Sequence, residues 1–204
     1  MFTSYKAELR KLLPSFIHNP QLHAKWLNTL SFLENCGARK IASCQHPTKV
    51  KKTMLKHAAE ESRHAFYLKD QIKRIVEVTP PDYSLDSILG GTASLQYLNK
   101  LDLLVAKYLK SLGRDPHIAY ILVTYAIEKR AEELYPIYMD ILKETSSSIT
   151  VKSILLEEEE HLAEMEEEIE QIFEGYQLAQ EALIIENKLF SAWLLALQNA
   201  EKAQ

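Results

Sequence analysis

The stretch HAAEESRH, residues 57–64, decides how the chain folds and what it holds. On a helix, Glu61 and His64 lie one turn apart and point the same way. His57, four residues before Glu61, falls on the same stripe. A second copy of the spacing lies in SILLEEEEHLAEM, residues 153–165, where Glu158 precedes His161 by three. In a chain this rich in Glu, a lone Glu-x-x-His carries little. Its weight comes from the apolar repeat around it and from partners on other helices.

The first copy sits inside the stripe Met54, His57, Glu61, His64, Leu68, Gln71, Ile75. Apolar positions spaced by threes and fours predict a helix from about Lys49 to Val78, with Thr48 as its N-cap and Pro80-Pro81 as its stop. Before it, Leu27, Leu30, Glu34, Gly37 and Ile41 mark a helix from about Gln21 to Cys44, and residues 2–17 form a shorter one. After it come a loop over 80–92 with Gly90-Gly91, and a helix from about Ala93 to Leu112 carrying Leu95, Leu98, Leu101, Leu104, Val105 and Leu109. Further helices are expected over Pro116–Glu144, Ile149–Tyr176 and Leu178–Lys202, with Pro136 as a kink point in the first of them. The fold class is therefore all-α, read as a single domain over residues 1–204. Two long hairpins joined by a helix-bearing connection give a four-helix bundle with a long crossover, its core about 21–176, plus extra N- and C-terminal helices.

Composition agrees. The 204 residues hold only five Gly and carry a formal net charge of −4. Cys36 and Cys44 are the two cysteines; on one helix they stand about 12 Å apart, too far for a disulfide. No Cys-x-x-Cys pair exists for a thiolate metal site. The opening MFTSYKAELRKLL is no signal peptide, and LIIENKLFSAWLLAL is broken by Glu186 and Lys188, so no membrane span and a cytoplasmic location are expected. The basic run Lys49 to Lys56 reads as a charged helix start, and no nucleic-acid surface is expected.

Acidic residues occupy seam positions where Leu or Ile would serve: Glu34 between Leu30 and Gly37, and Glu128 between Tyr125 and Tyr135. Burying an unpaired carboxylate costs on the order of several kcal/mol. No Lys or Arg shares those seams, but two divalent ions would balance four carboxylates. Glu34 and Glu61 are nearly equidistant from Pro47, so an antiparallel hairpin sets them level. Glu132 competes with Glu128 as the acid of the third long helix.

A Glu on one helix and Glu-x-x-His on the next, occurring twice, resembles the ferritin-like di-iron carboxylate superfamily over residues 21–176. The resemblance implies two iron ions, with manganese or a mixed pair as alternatives. It makes Glu61 and Glu158 bridging ligands, Glu34 and Glu128 terminal ligands, and His64 and His161 one nitrogen ligand each. It further implies oxidation of a small, partly apolar substrate by O₂ or peroxide, with an external electron donor. Iron oxidation and storage, or a metal-free polar core that sets helix register, are the competing readings. His57, Tyr125, Glu132 and Tyr135 are candidates to hydrogen-bond the ligands or pass electrons. His57 reads equally as a satisfied core histidine, Tyr125, Tyr135 and Tyr138 read first as core aromatics with a hydrogen-bonded hydroxyl, and Glu157, Glu159, Glu160, Glu166 and Glu167 read as a solvated face. Gly37 makes room either for metal and substrate or for close helix packing. Phe190 and Trp193 present a face that either caps the bundle or pairs a homodimer.

Overall fold

Asn19 starts the first long helix. Its side chain accepts from the N–H groups of Gln21 and Leu22, and Pro20 takes the first helical position, where a missing N–H costs nothing. The computed structural model describes residues 1–115 and 117–203. Its helices are α1 (Lys6–His18), α2 (Pro20–Cys44), α3 (Lys52–Gln71), α4 (Gly91–Ser111), α5 (His117–Glu144), α6 (Lys152–Glu170) and α7 (Gly175–Lys202), with no strand among the described residues. Pro116, expected to open the α5 helix, lies outside those residues.

Several helix ends differ from the sequence reading. Thr48 caps nothing: α3 begins at Lys52, with Lys51 at its N-cap position and no side-chain cap, while the Thr48 N–H is taken by His46. The same helix gives way to a single tight turn at Ile72–Arg74, short of Val78. Thr79 precedes Pro80, which disfavours helical geometry, and the last buried contact upstream is Val76. α6 stops at Glu170 because the chain reverses at Glu174, which has φ 59°, and α7 starts at once. Gly175 is required there: a Cβ would fall 2.1 Å from the Ile169 carbonyl oxygen. On α4 the buried face is Ser94, Tyr97, Leu101, Val105 and Leu109, and Leu104 turns to solvent.

α2 packs along α3, and α5 along α6; α4 lies against α7 and α5, and α1 against α5 and α2. The interior is divided. One apolar cluster joins Leu13, Trp26, Leu68, Tyr138 and Trp193. The other joins Ile41, Leu101, Leu122, Met165 and Leu183. Between them runs a layer of buried polar groups that includes Glu61, His64, Glu128, Glu158 and His161. Phe190 and Trp193 are spent inside the chain: Trp193 stacks on Trp26 and Tyr97 and donates to the Ser94 hydroxyl at 2.7 Å. No helix among the described residues is long and apolar enough to cross a membrane.

His23, 2% exposed, shares a 2.6 Å hydrogen bond with the Tyr138 hydroxyl. Burial lowers its pKa from 6.5 to about 4. The unfolded chain therefore takes up a proton first as pH falls below 6.5, and the native state loses stability, by about 3 kcal/mol at pH 4. Denaturant titrations of wild type and His23→Gln at pH 7 and pH 4 check this. The variant's loss between the two pH values should be smaller by about that amount; equal losses would exclude His23 as the source.

Candidate metal centre

Helical spacing carries six side chains into the polar layer: Glu34 from α2, Glu61 and His64 from α3, Glu128 from α5, and Glu158 and His161 from α6. They form two overlapping groups. Glu34, Glu61, His64 and Glu158 make one, and Glu61, Glu128, Glu158 and His161 the other. Within each group, one oxygen or nitrogen from every residue lies within 4.8 Å of the rest. Glu61 and Glu158 belong to both, which is where bridging ligands between two ions must stand.

Both histidines turn Nδ1 inward. His64 Nδ1 is 3.0 Å from Glu158 and 3.6 Å from Glu34; His161 Nδ1 is 3.6 Å from Glu61 and 3.7 Å from Glu128. Their outer Nε2–H groups donate to carboxylates that the sequence reading did not single out for the site. His64 donates to Glu157 at 2.8 Å, and His161 to Glu60 at 2.9 Å. The arrangement is reciprocal, since each supporting acid directly precedes the shared Glu of the opposite helix. These bonds leave the Nδ1 lone pair free for a metal. Glu157 is thus removed from the solvated face assigned to it: it also pairs with Arg63 and is only 25% exposed. The visible signal was Glu-Glu-x-x-His, occurring twice.

Within the cluster, His64 Nδ1, His161 Nδ1, Glu128 Oε2 and Glu158 Oε1 are buried without a hydrogen-bond partner. Burial and then the neighbouring Glu34 and Glu158 push the Glu61 carboxyl well above its ordinary range. Burial and then Glu158 do the same to Glu128. Burial works against charging His64, but the nearby carboxylates of Glu158 and Glu34 outweigh it and raise its pKa to about 10. His161 is raised in the same way by Glu158 and Glu60. Without a cation, the cluster must carry protons to limit its own repulsion. Orphaned atoms within the two groups, with oxygen and imidazole donors and no thiolate, fit a metal ion.

The surrounding groups sort themselves. Glu132 is exposed on Lys129 at 2.6 Å, so Glu128 is the acid that α5 contributes. Tyr135 donates from its hydroxyl to Glu34. Tyr125 does not play that part: it packs in the second apolar cluster, and the charges acting on it are Lys129, Glu166 and Glu132. The His57 ring lies 4.4 Å from that of His161, and its Nε2 meets Glu164 at 2.5 Å, so it braces a candidate ligand from outside. Gly37 faces Glu61: a Cβ there would stand 3.1 Å from Glu61 Oε2. Gly37→Ala should stabilise the metal-free helix by about 1 kcal/mol. It should also weaken metal binding several-fold, because the carboxylate must shift. Melting curves with chelator and with metal check both signs, and equal metal affinity would show that Glu61 is free to move.

Beside the carboxylates lies a cavity of about 520 Å³ between α2, α4, α5 and α7. Glu34, Glu61, Glu128 and Tyr135 line it. A second buried charge network also borders it: Arg130 pairs with Glu186 at 2.8 Å and with Glu133, and Tyr97 donates to Glu186 at 2.6 Å. No protein-family model matches this chain, nor does any curated protein or solved structure.

Proposed function

We propose that the chain is a ferritin-like di-metal carboxylate oxidoreductase, built as one domain over residues 1–204. In this reading α2, α3, α5 and α6 are the four-helix bundle, α4 is the crossover, and α1 and α7 are accessory helices. The observation that carries it is the pair of donor groups sharing Glu61 and Glu158, with both Nδ1 atoms turned inward. Glu34 and His64 would complete one ion's ligands, and Glu128 and His161 the other's. A bound iron pair would supply redox chemistry with O₂ or peroxide, fed by an external electron donor; manganese or a mixed pair would occupy the same ligands.

The chain's own residues have defined tasks. Glu60 and Glu157 hold the imidazoles in the tautomer that presents Nδ1. Tyr135 fixes the Glu34 carboxylate and, with its pKa raised by burial and by Glu34, stays a neutral donor. The apolar walls of the cavity exclude water and admit a small organic substrate to the Glu61 and Glu128 side. That cavity favours oxidation of an organic molecule over iron storage.

Elemental analysis of protein purified without added metal tests the reading, alongside Glu61→Ala. Close to two ions per chain, largely lost in the variant, is the expected result. An unchanged metal content in the variant would remove Glu61 from the site. A reduced, iron-loaded sample with no optical transient on O₂ exposure would rule out oxygen activation. A large shell with many irons per chain would restore storage.

A further inference from the structure

The cavity beside the carboxylates is sorted by polarity. Its buried lining sets Glu61, Glu128 and Tyr135 among apolar groups such as Leu30, Leu134 and Phe190. Its exposed lining includes Arg39, Ser43 and Asn99. Three cations reach it: Arg39, Lys40 and Arg130. Lys40 is paired with Asp102, and Arg130 with Glu186 and Glu133. Arg39 has no carboxylate partner among the described residues. Its charge reaches Cys36 on the same wall, where it opposes the upward push of burial on the thiol. One neutral donor is also unused, since the buried Tyr120 hydroxyl that lines the cavity has no partner.

We propose that this cavity binds an apolar molecule ending in a single carboxylate, with the carboxylate on Arg39 at the mouth and the hydrocarbon end against Glu61 and Glu128. The polarity leaves no other orientation. Without metal, the inner lining of Glu34, Glu61 and Glu128 offers no unpaired arginine or lysine to receive an anion. With two divalent ions, four carboxylates cancel their charge and the interior has none to spare. At the mouth, the Arg39 guanidinium offers a full unit charge and a fork that matches a carboxylate. Arg39 lies five residues beyond Glu34 on α2, about 7.5 Å along the axis, so the ligand must be at least medium-sized to reach from one to the other. Together with the di-metal reading, on which this consequence alone rests, oxidation falls on the end remote from the acid.

Binding can be measured with decanoate, 1-decanol and decyltrimethylammonium, by calorimetry and by tryptophan fluorescence, because Trp193 lines the cavity. Decanoate should bind about tenfold or more tightly than the decyl cation, and less tightly as salt rises. Arg39→Gln, at an exposed position, should erase most of that preference and leave 1-decanol unchanged. Leu98→Trp, which fills the cavity, should weaken all three. Decanoate affinity indifferent to Arg39→Gln, or a decyl cation that binds equally well, would overturn the proposal. Metal content is counted in the same preparations. Arg39-dependent decanoate binding in protein that takes up no metal would leave the cavity assignment standing and remove the di-metal reading. Two ions per chain with decanoate indifferent to Arg39 would do the reverse.

Discussion

Glu128→Gln is expected to melt higher than wild type when both are metal-free, and to lose most of the stabilisation that wild type gains from Fe(II). The two effects have one cause. In metal-free protein the Glu128 carboxyl is buried and faces Glu158, Glu61 and Glu34, so it is held as a neutral acid well above its ordinary range. An amide reproduces that neutral form without needing a proton, so the variant avoids the cost of protonating a buried carboxylate on folding. With metal the requirement inverts, because a carboxylate is the donor that neutralises the ion. A ligand present at 100 to 1,000 times its dissociation constant stabilises by about 3–4 kcal/mol, which for a chain of this size raises the melting temperature by about 10 °C. Wild type should show that rise under anaerobic Fe(II), and the variant only a small part of it. Should Fe(II) move both proteins equally, Glu128 is no ligand. Should it move neither, the cluster is a polar core that sets helix register.

The residues that converge in the cluster were legible because helices repeat. A spacing of three from Glu61 to His64, and from Glu158 to His161, puts each pair on one face, and the apolar stripe marked that face as interior. The choice between Glu128 and Glu132 was not legible. α5 is buried around much of its circumference, so its apolar pattern does not single out one stripe, and only packing shows Glu132 turned to Lys129. Glu60 and Glu157 were hidden by adjacency: a residue beside an inward-facing one reads as outward-facing, yet these two reach across the α3–α6 contact. Tyr135 and Tyr125 looked equivalent in the pattern, and the difference came from which neighbour each meets. The Arg130–Glu186 pair was illegible for another reason. Its members are 56 residues apart on helices whose contact no local period specifies.

Arg130→Met is expected to cost about 3–5 kcal/mol, a large share of the roughly 5–15 kcal/mol that holds a typical domain together. Glu186 is fully buried, and Arg130 meets it through Nε at 2.9 Å and through a terminal nitrogen at 2.8 Å. Removing the guanidinium leaves that carboxylate in an apolar interior with only the Tyr97 hydroxyl. The same guanidinium lies against the rings of Phe2 and Phe190, 4.3 and 4.0 Å from their centroids, and donates to the Thr3 carbonyl. It therefore also ties down the segment before α1. Removing both charges tells these contributions apart. Arg130→Met with Glu186→Leu leaves no buried orphan and should recover most of the loss, since a buried ion pair is worth little more than a well-packed apolar pair. What stays unrecovered measures the tie to Thr3 and the aromatic contacts. Equilibrium denaturation of the two single variants and the double gives the coupling. The metal content of the double variant should equal that of wild type, because neither side chain belongs to the six of the candidate metal cluster. A double variant no more stable than Arg130→Met would mean that packing of the guanidinium on its rings, rather than neutralisation of Glu186, holds this part of the interior.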